Sequence, residues 1–177
     1  MIERPEPFAL SVSDQAISDL RERLAHTRFP DRAPGEPWAY GTDVAYMQEL
    51  VDHWHDRFDW RAQEARLNAW PQFTVPLHGI DVHFLHVEGR GPAPCPLLLS
   101  HGWPGSVFEF LELIPRLTAP ARFGGDPADA FTVVVPSLPG YGLSFAADQP
   151  RFSLEQIADC FADLMGVLGY QRFASSR

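Results

Sequence analysis

The residues best placed to do chemistry lie in the run Leu97-Leu98-Leu99-Ser100-His101-Gly102-Trp103-Pro104-Gly105-Ser106. A short apolar run reads as a buried strand, empties into a Gly/Pro turn, and an amphipathic helical segment follows. At such a junction an α/β enzyme can aim backbone N–H groups at a developing negative charge. Gly102 permits positive φ or close backbone approach, and Pro104 fixes the turn without offering a donor. The N–H of Trp103 then becomes a candidate oxyanion donor at the carboxyl end of a strand, where open α/β sheets place their sites. On the residues alone, a plain Gly/Pro connection from strand to helix outweighs that role.

Other chemically capable residues are less well arranged. His53-Trp54-His55 falls on a predicted helix, where positions i and i+2 diverge, so the pair does not share a metal. Asp81, His83 and, after a twist, His86 could approach one another on a strand face. A solvated hairpin accounts for them better than a metal site, because no second ligand pair is evident. There is no Gly-x-Ser-x-Gly elbow, so no internal serine nucleophile is expected, and Ser106 and Ser144 read as turn or cap residues. Asp159, Asp163 and Tyr170 read as solvated or packing positions. No phosphate-binding loop, cofactor or metal is expected.

The elements that must position this loop are legible from periodicity. Ile17, Leu20 and Leu24 share one face of a first helix, capped by Ser13 or Asp14 and ended by Phe29-Pro30. Thr42 caps a second helix, on which Val44, Met47, Leu50, Val51, Trp54 and Phe58 form an apolar stripe. A short third helix covers about Arg61 to Asn68 and stops at Trp70-Pro71. The period then shifts to two in Phe73 to Leu77 and Ile80 to Val87, with His78-Gly79 as a hairpin turn. Beyond the Leu97 strand, a helix carries Val107, Phe108, Leu111 and Ile114 and breaks near Pro115. Phe131 to Val135 is a β-branched run suited to a strand covered on both faces. A last helix has capping-box spacing at Ser153 and Gln156, staple spacing at Phe152 and Ile157, and Gly169 as its stop. The expectation is an α/β chain. Residues 1–92 form helices plus a hairpin, and residues 93–177 form a β-α-β-α core segment.

The chain has 177 residues, 45% of them hydrophobic, which suffices for one ordinary core. A formal net charge of -9 without any Lys/Arg cluster argues against nucleic acid and anionic membrane surfaces as partners. No apolar run approaches a membrane span, and Met1 to Pro5 lacks the apolar core of a secretory leader. Cys95 and Cys160 lie far apart and read as two free, buried thiols of a reducing cytoplasm.

Four motifs together carry a resemblance. Ser100 to Ser106 resembles the His-Gly-Trp-Pro-Gly-Ser signature of α/β-hydrolase-fold epoxide hydrolases of the microsomal-like branch. Pro139-Gly140-Tyr141-Gly142-Leu143-Ser144 is similar to that family's second loop motif. Arg28-Phe29-Pro30-Asp31, and Trp38-x-x-Gly41 with Tyr46, Leu50 and Trp54, are similar to elements of its N-terminal domain. The resemblance runs over residues 5 to 173, with the motifs in the family's order. It implies that Trp103 supplies an oxyanion-hole N–H, that the Trp103-Pro104 bond is cis, and that His101 braces the loop without moving a proton. Gly102 and Pro104 shape the same loop, and Tyr141 flanks the pocket. It also implies a small-molecule epoxide, opened through an Asp alkyl-enzyme ester that a His-activated water hydrolyses.

The chain departs from the family at Ala174-Ser175-Ser176-Arg177, where a Gly-Gly-Asp-Trp-Gly elbow would follow a strand. Nucleophile, acid and base are accordingly assigned to no residue of this chain. The expectation is a truncated N-terminal portion, inactive alone, from a frameshift, an early stop or a split enzyme. Two other readings stay open. One is a non-catalytic interaction module, self-associating through a sheet edge beside the Leu97 strand. The other is a haloalkane dehalogenase-like hydrolase with similar ester chemistry, against which the Arg28 to Asp31 element speaks.

Overall fold

The computed structural model describes residues 4–176. Met1 to Glu3, part of the stretch read for a leader, and Arg177, the last residue of the departing tail, lie outside the described residues. Leu10–Arg66 forms one compact unit, and the residues through Ala9 together with those from Leu67 onward form a second.

The first unit is helical. Helix α1 (Asp14–Ala25) starts at Ser13, whose hydroxyl accepts the Ala16 N–H at 3.2 Å. Helix α2 (Val44–Asp56) is capped by Asp43, one residue later than the Thr42 expected, because the Asp43 carboxylate accepts the Ala45 N–H at 2.9 Å. The apolar stripe of α2 is present, yet Met47, Leu50, Trp54 and Phe58 are exposed. Helix α3 (Trp60–Asn68) closes the unit. Its Glu64 accepts the Val12 N–H at 2.7 Å and pairs with Arg61 at 2.6 Å, and these two contacts, in that order, hold the carboxyl below its ordinary range.

The second unit is a six-stranded mixed sheet with the order β1-β2-β3-β5-β4-β6. Its strands are β1 (Glu6–Pro7), β2 (Gln72–Leu77), β3 (Ile80–Val87), β4 (Cys95–Leu99), β5 (Phe131–Pro136) and β6 (Ala174–Ser176). The hairpin of β2 and β3 turns on His78 and Gly79, at φ 52° and 83°. Both central residues are left-handed, as a two-residue hairpin with a primed turn requires. Strand β3 runs antiparallel to β5, and β5, β4 and β6 are parallel, so the Leu97 strand lies between the Val133 strand and the chain's last one.

The helical segment after β4 is not continuous. It splits into a 3₁₀ turn, Val107–Phe110, and helix α4 (Ile114–Thr118), so Pro115 starts a helix where it was expected to end one. Proline suits a first turn because its missing N–H would have no partner there. Helix α5 (Leu154–Val167) has the capping box of Ser153 and Gln156, and Gly169 turns the chain at φ 84°. Its Cys160, Phe161, Leu164 and Met165 pack on Val75, Val82, Phe84 and Val134, and each fully buried large side chain contributes about 2 kcal/mol. Cys160 is buried but Cys95 is exposed, contrary to the expectation of two buried thiols; both are free.

The hairpin is not the solvated surface expected of it. His83 is fully buried, its ring edge-on to Phe8 at 5.0 Å. Its partners fix the proton. The Gln72 amide nitrogen donates to Asn68 Oδ1 at 2.9 Å, so Gln72 Oε1 accepts from His83 Nε2–H at 3.0 Å. His83 Nδ1 then accepts the Ser137 hydroxyl at 2.9 Å, and the His83 N–H donates to Ser144 Oγ at 3.0 Å. Asp81 is exposed and His86 turns to Tyr170 at 3.0 Å, so the structure does not bring Asp81, His83 and His86 together.

Burial pushes the His83 imidazole down to about 4. Between that value and the free imidazole's about 6.5, the unfolded chain binds a proton that the folded chain refuses. The stabilisation is complete above the upper value and is lost on acidification, at up to about 1.4 kcal/mol per pH unit. Urea unfolding between pH 7 and 4 should show this slope, and His83→Gln should flatten it; equal slopes for the two chains would refute the assignment.

Candidate active site

Two loops define the site because β4 and β5 are parallel neighbours. With Leu97 beside Val133 and Leu98 beside Val134, both carboxyl ends emerge side by side. The loop of residues 100–106 leaves one and the loop of residues 137–145 leaves the other. His101 spans them. Its Nε2 accepts the Leu138 N–H at 3.1 Å, so the ring proton sits on Nδ1 and is donated to Gly102 O at 2.9 Å. The ring is buried, with both nitrogens engaged by backbone.

Beyond His101 the first loop carries its own turn chemistry. The Trp103-Pro104 peptide bond is cis. Trp103 projects its indole to solvent, at 74% exposure, and its backbone N–H has no hydrogen-bond partner among the described residues. Gly102 is not among the glycines with positive φ; the position that needs glycine is Gly105. A Cβ there would lie 2.0 Å from Glu109 Oε1 and 2.8 Å from Gly102 O. That carboxylate belongs to a capping box. Glu109 accepts the Ser106 N–H at 3.1 Å while Ser106 Oγ accepts the Phe108 N–H at 3.3 Å. Ser106 is therefore a cap, one of the two roles expected of it.

The second loop is wound into a tight turn. The Gly140 N–H donates to Ser144 O at 2.9 Å, the Tyr141 N–H to Leu138 O at 2.9 Å, and the Ser144 N–H to Tyr141 O at 3.0 Å. Gly140 and Gly142, at φ 91° and 55°, supply the left-handed residues that this winding demands. Ser144 Oγ donates to Ser137 O at 2.9 Å, which joins the turn to the His83 network. Tyr141 stands half-exposed on it, and Phe145 is more exposed at 64%. The structure thus gathers His101, Gly102, Trp103, Pro104 and Tyr141 at one end of the sheet.

Sequence reasoning missed Ser137, Phe145 and Glu109 and took His83 for part of a solvated hairpin. The burial of His83 and its bond to Ser137 had no signal, because a buried histidine and a solvated one look alike in an alternating strand. Phe145 follows the second motif directly and carries no pattern of its own. Glu109 was findable, since Ser-x-x-Glu is itself a capping-box spacing. Chemically, the arrangement offers a free backbone donor at a strand end, rigidly braced, with exposed aromatics around it. Among the described residues no group of three or more His, Cys, Asp or Glu is placed to hold a metal ion.

This sheet belongs to the α/β-hydrolase class, of which the chain carries the first strands and helices. Residues 5–110 match the family described as "Epoxide hydrolase N terminus", and the chain belongs to that family. A "Putative epoxide hydrolase" of Stigmatella aurantiaca is 45% identical over 169 residues, covering 96% of this chain and 38% of the relative. "Epoxide hydrolase 1" of Oryctolagus cuniculus is 39% identical over 171 residues, covering 94% and 38%. The crystal structure of juvenile hormone epoxide hydrolase from the silkworm Bombyx mori superposes with a TM-score of 0.85 at 32% identity, over 98% of this chain and 46% of that one. Aspergillus niger epoxide hydrolase gives 0.80 at 32%, over 93% and 43%. The chain therefore spans about 38% of the length of these curated relatives.

Replacing His101 by Leu leaves the Leu138 N–H and the Gly102 carbonyl without their partner. Urea unfolding should report a loss of about 2 kcal/mol at an unchanged denaturant slope. A loss below half of that would show that water or a shifted loop replaces the ring.

Proposed function

We propose that this chain supplies the oxyanion-binding frame of an epoxide hydrolase acting on a small-molecule epoxide. The observation that carries the reading is the Trp103 N–H, unbonded among the described residues at the carboxyl end of β4 and held there by the His101 bridge. In the reaction, a carboxylate attacks an epoxide carbon, the C–O bond breaks, and the alkoxide takes a proton from an acid. The resulting ester is hydrolysed by a water that a histidine deprotonates. Negative charge then develops on the ester carbonyl oxygen, where a fixed N–H stabilises it without having to reorganise. In this proposal Trp103 is that donor and His101, Gly102 and Pro104 hold it. Tyr141 flanks the substrate, and nucleophile, acid and base come from no residue of this chain.

The test extends this chain, from residue 173 onward, with the remaining polypeptide of the Stigmatella aurantiaca relative. The chimera should hydrolyse a simple aryl epoxide, while residues 1–177 alone should not exceed background. An amide-to-ester replacement at position 103 removes the N–H and keeps the side chain. It should lower the chimera's kcat about 10²–10³-fold, and a change under threefold would reject Trp103 as the donor.

A second reading rests on β6, three exposed residues at the sheet edge beside a groove of about 410 Å³ that Phe161 and Phe173 help line. Unpaired strand groups of that kind can pair with a second copy of the chain. Sedimentation velocity should then show a concentration-dependent dimer that a proline at Ser175 abolishes; a monomer at high concentration rejects it.

A further inference from the structure

A cleft lies at the other end of the sheet, away from the residues that the epoxide chemistry uses. Val87 lies beside Val133, and the Gly89 N–H donates to Thr132 Oγ1 at 3.0 Å. Both pairs sit where β4 and β5 begin, whereas the His101 loop sits where they end. A cavity of about 530 Å³ opens there, with Trp70, Phe73 and Pro115 among its apolar walls and Arg90, Arg122 and Glu88 among its polar lining. That volume is in the range of small-molecule sites, and apolar walls with few polar groups are their usual make-up.

The charges narrow the ligand. The backbone at Arg90 is held by its N–H, which donates to Thr118 O at 2.6 Å, and Arg122 stands on the 3₁₀ turn Pro120–Phe123. Neither guanidinium forms an ion pair with a carboxylate among the described residues, although acids exceed bases 23 to 14 in the sequence. His86 also lines the cavity but its Nε2 is engaged by the Tyr170 hydroxyl at 3.0 Å. Two cations against the single carboxylate of Glu88 leave the cleft lining with a positive excess beside an aromatic wall. Guanidinium forks match the two oxygens of a carboxylate, and the wall suits a hydrocarbon tail.

We propose that this cleft binds an amphipathic monocarboxylate, its head on Arg90 and Arg122 and its tail along Trp70, Phe73 and Pro115. The site is independent of the hydrolase reading, because it shares no residue with the Trp103 loop.

Octanoate and 1-octanol are the probes, titrated into the 177-residue chain by calorimetry and by ¹H–¹⁵N correlation NMR. Octanoate should bind saturably and at least about tenfold more tightly than 1-octanol, shifting the amides of Gly89, Arg90, Thr118, Ala119 and Arg122. The double variant Arg90→Gln/Arg122→Gln changes two exposed side chains, so the fold should hold, and it should reduce octanoate to the octanol level. Arg151→Gln, away from the cleft, should bind as the parent does. The proposal is overturned by equal affinity for acid and alcohol, by undiminished binding in the double variant, or by shifts confined to the groove beside β6. Acetate binding as tightly as octanoate would also overturn it, since only the head would then be recognised.

Discussion

Everything at the candidate active site depends on β4 and β5 being parallel neighbours. The parallel register brings two strand ends to one edge of the sheet, and only then can one imidazole reach both departing loops. His101 does so with each nitrogen in a different role, accepting from Leu138 and donating to Gly102. Had the strands been antiparallel, the second loop would have left from the far end. A ring spans only a few ångströms, so the sheet's topology comes before the site's chemistry.

The polar core beneath the loops obeys a stricter rule. A buried donor or acceptor without a partner costs about 1–3 kcal/mol, so a buried histidine is tolerated only when every group around it is matched. His83 meets that condition through a directed chain, from Asn68 and Gln72 through its ring to Ser137, while Ser144 takes its backbone N–H. The direction of each bond fixes the next, which is why burial and hydrogen bonding agree on a neutral ring. The same chain ties the loop after β5 to β3, so the second half of the site is held from below as the first is held from the side.

Much of this was legible in the residues, and the remainder was hidden for identifiable reasons. The hairpin, the strand pair and α5 were readable because period, turn residues and caps all pointed the same way, as in His78-Gly79 and Ser153 with Gln156. The helix after Ser106 was misread because apolar spacing does not distinguish a continuous helix from a 3₁₀ turn followed by a short one. Pro115 could as well begin as end an element. Asp43 displaced Thr42 as a cap because the two candidates are adjacent and only geometry chooses between them. The motif of residues 100–106 located the loop, whereas the need for glycine fell at 105 rather than 102. That difference arises from Glu109, a side chain three residues beyond the motif.

A backbone donor changes what a sequence has to specify. The candidate group at position 103 is an N–H that nearly every residue possesses, so the side chain can face solvent while the function rests on conformation. Conformation here is set by residues with no titratable role. Gly105 admits the Glu109 carboxylate where a methyl group would collide, Ser106 and Glu109 close the turn, and His101 anchors it to a second loop. A search for catalytic side chains passes over such a site because none of its members would lose or gain a proton. The physical requirement is an N–H left without a partner in a loop whose neighbours hold it in place, and that is a property of the hydrogen-bond inventory rather than of any residue type.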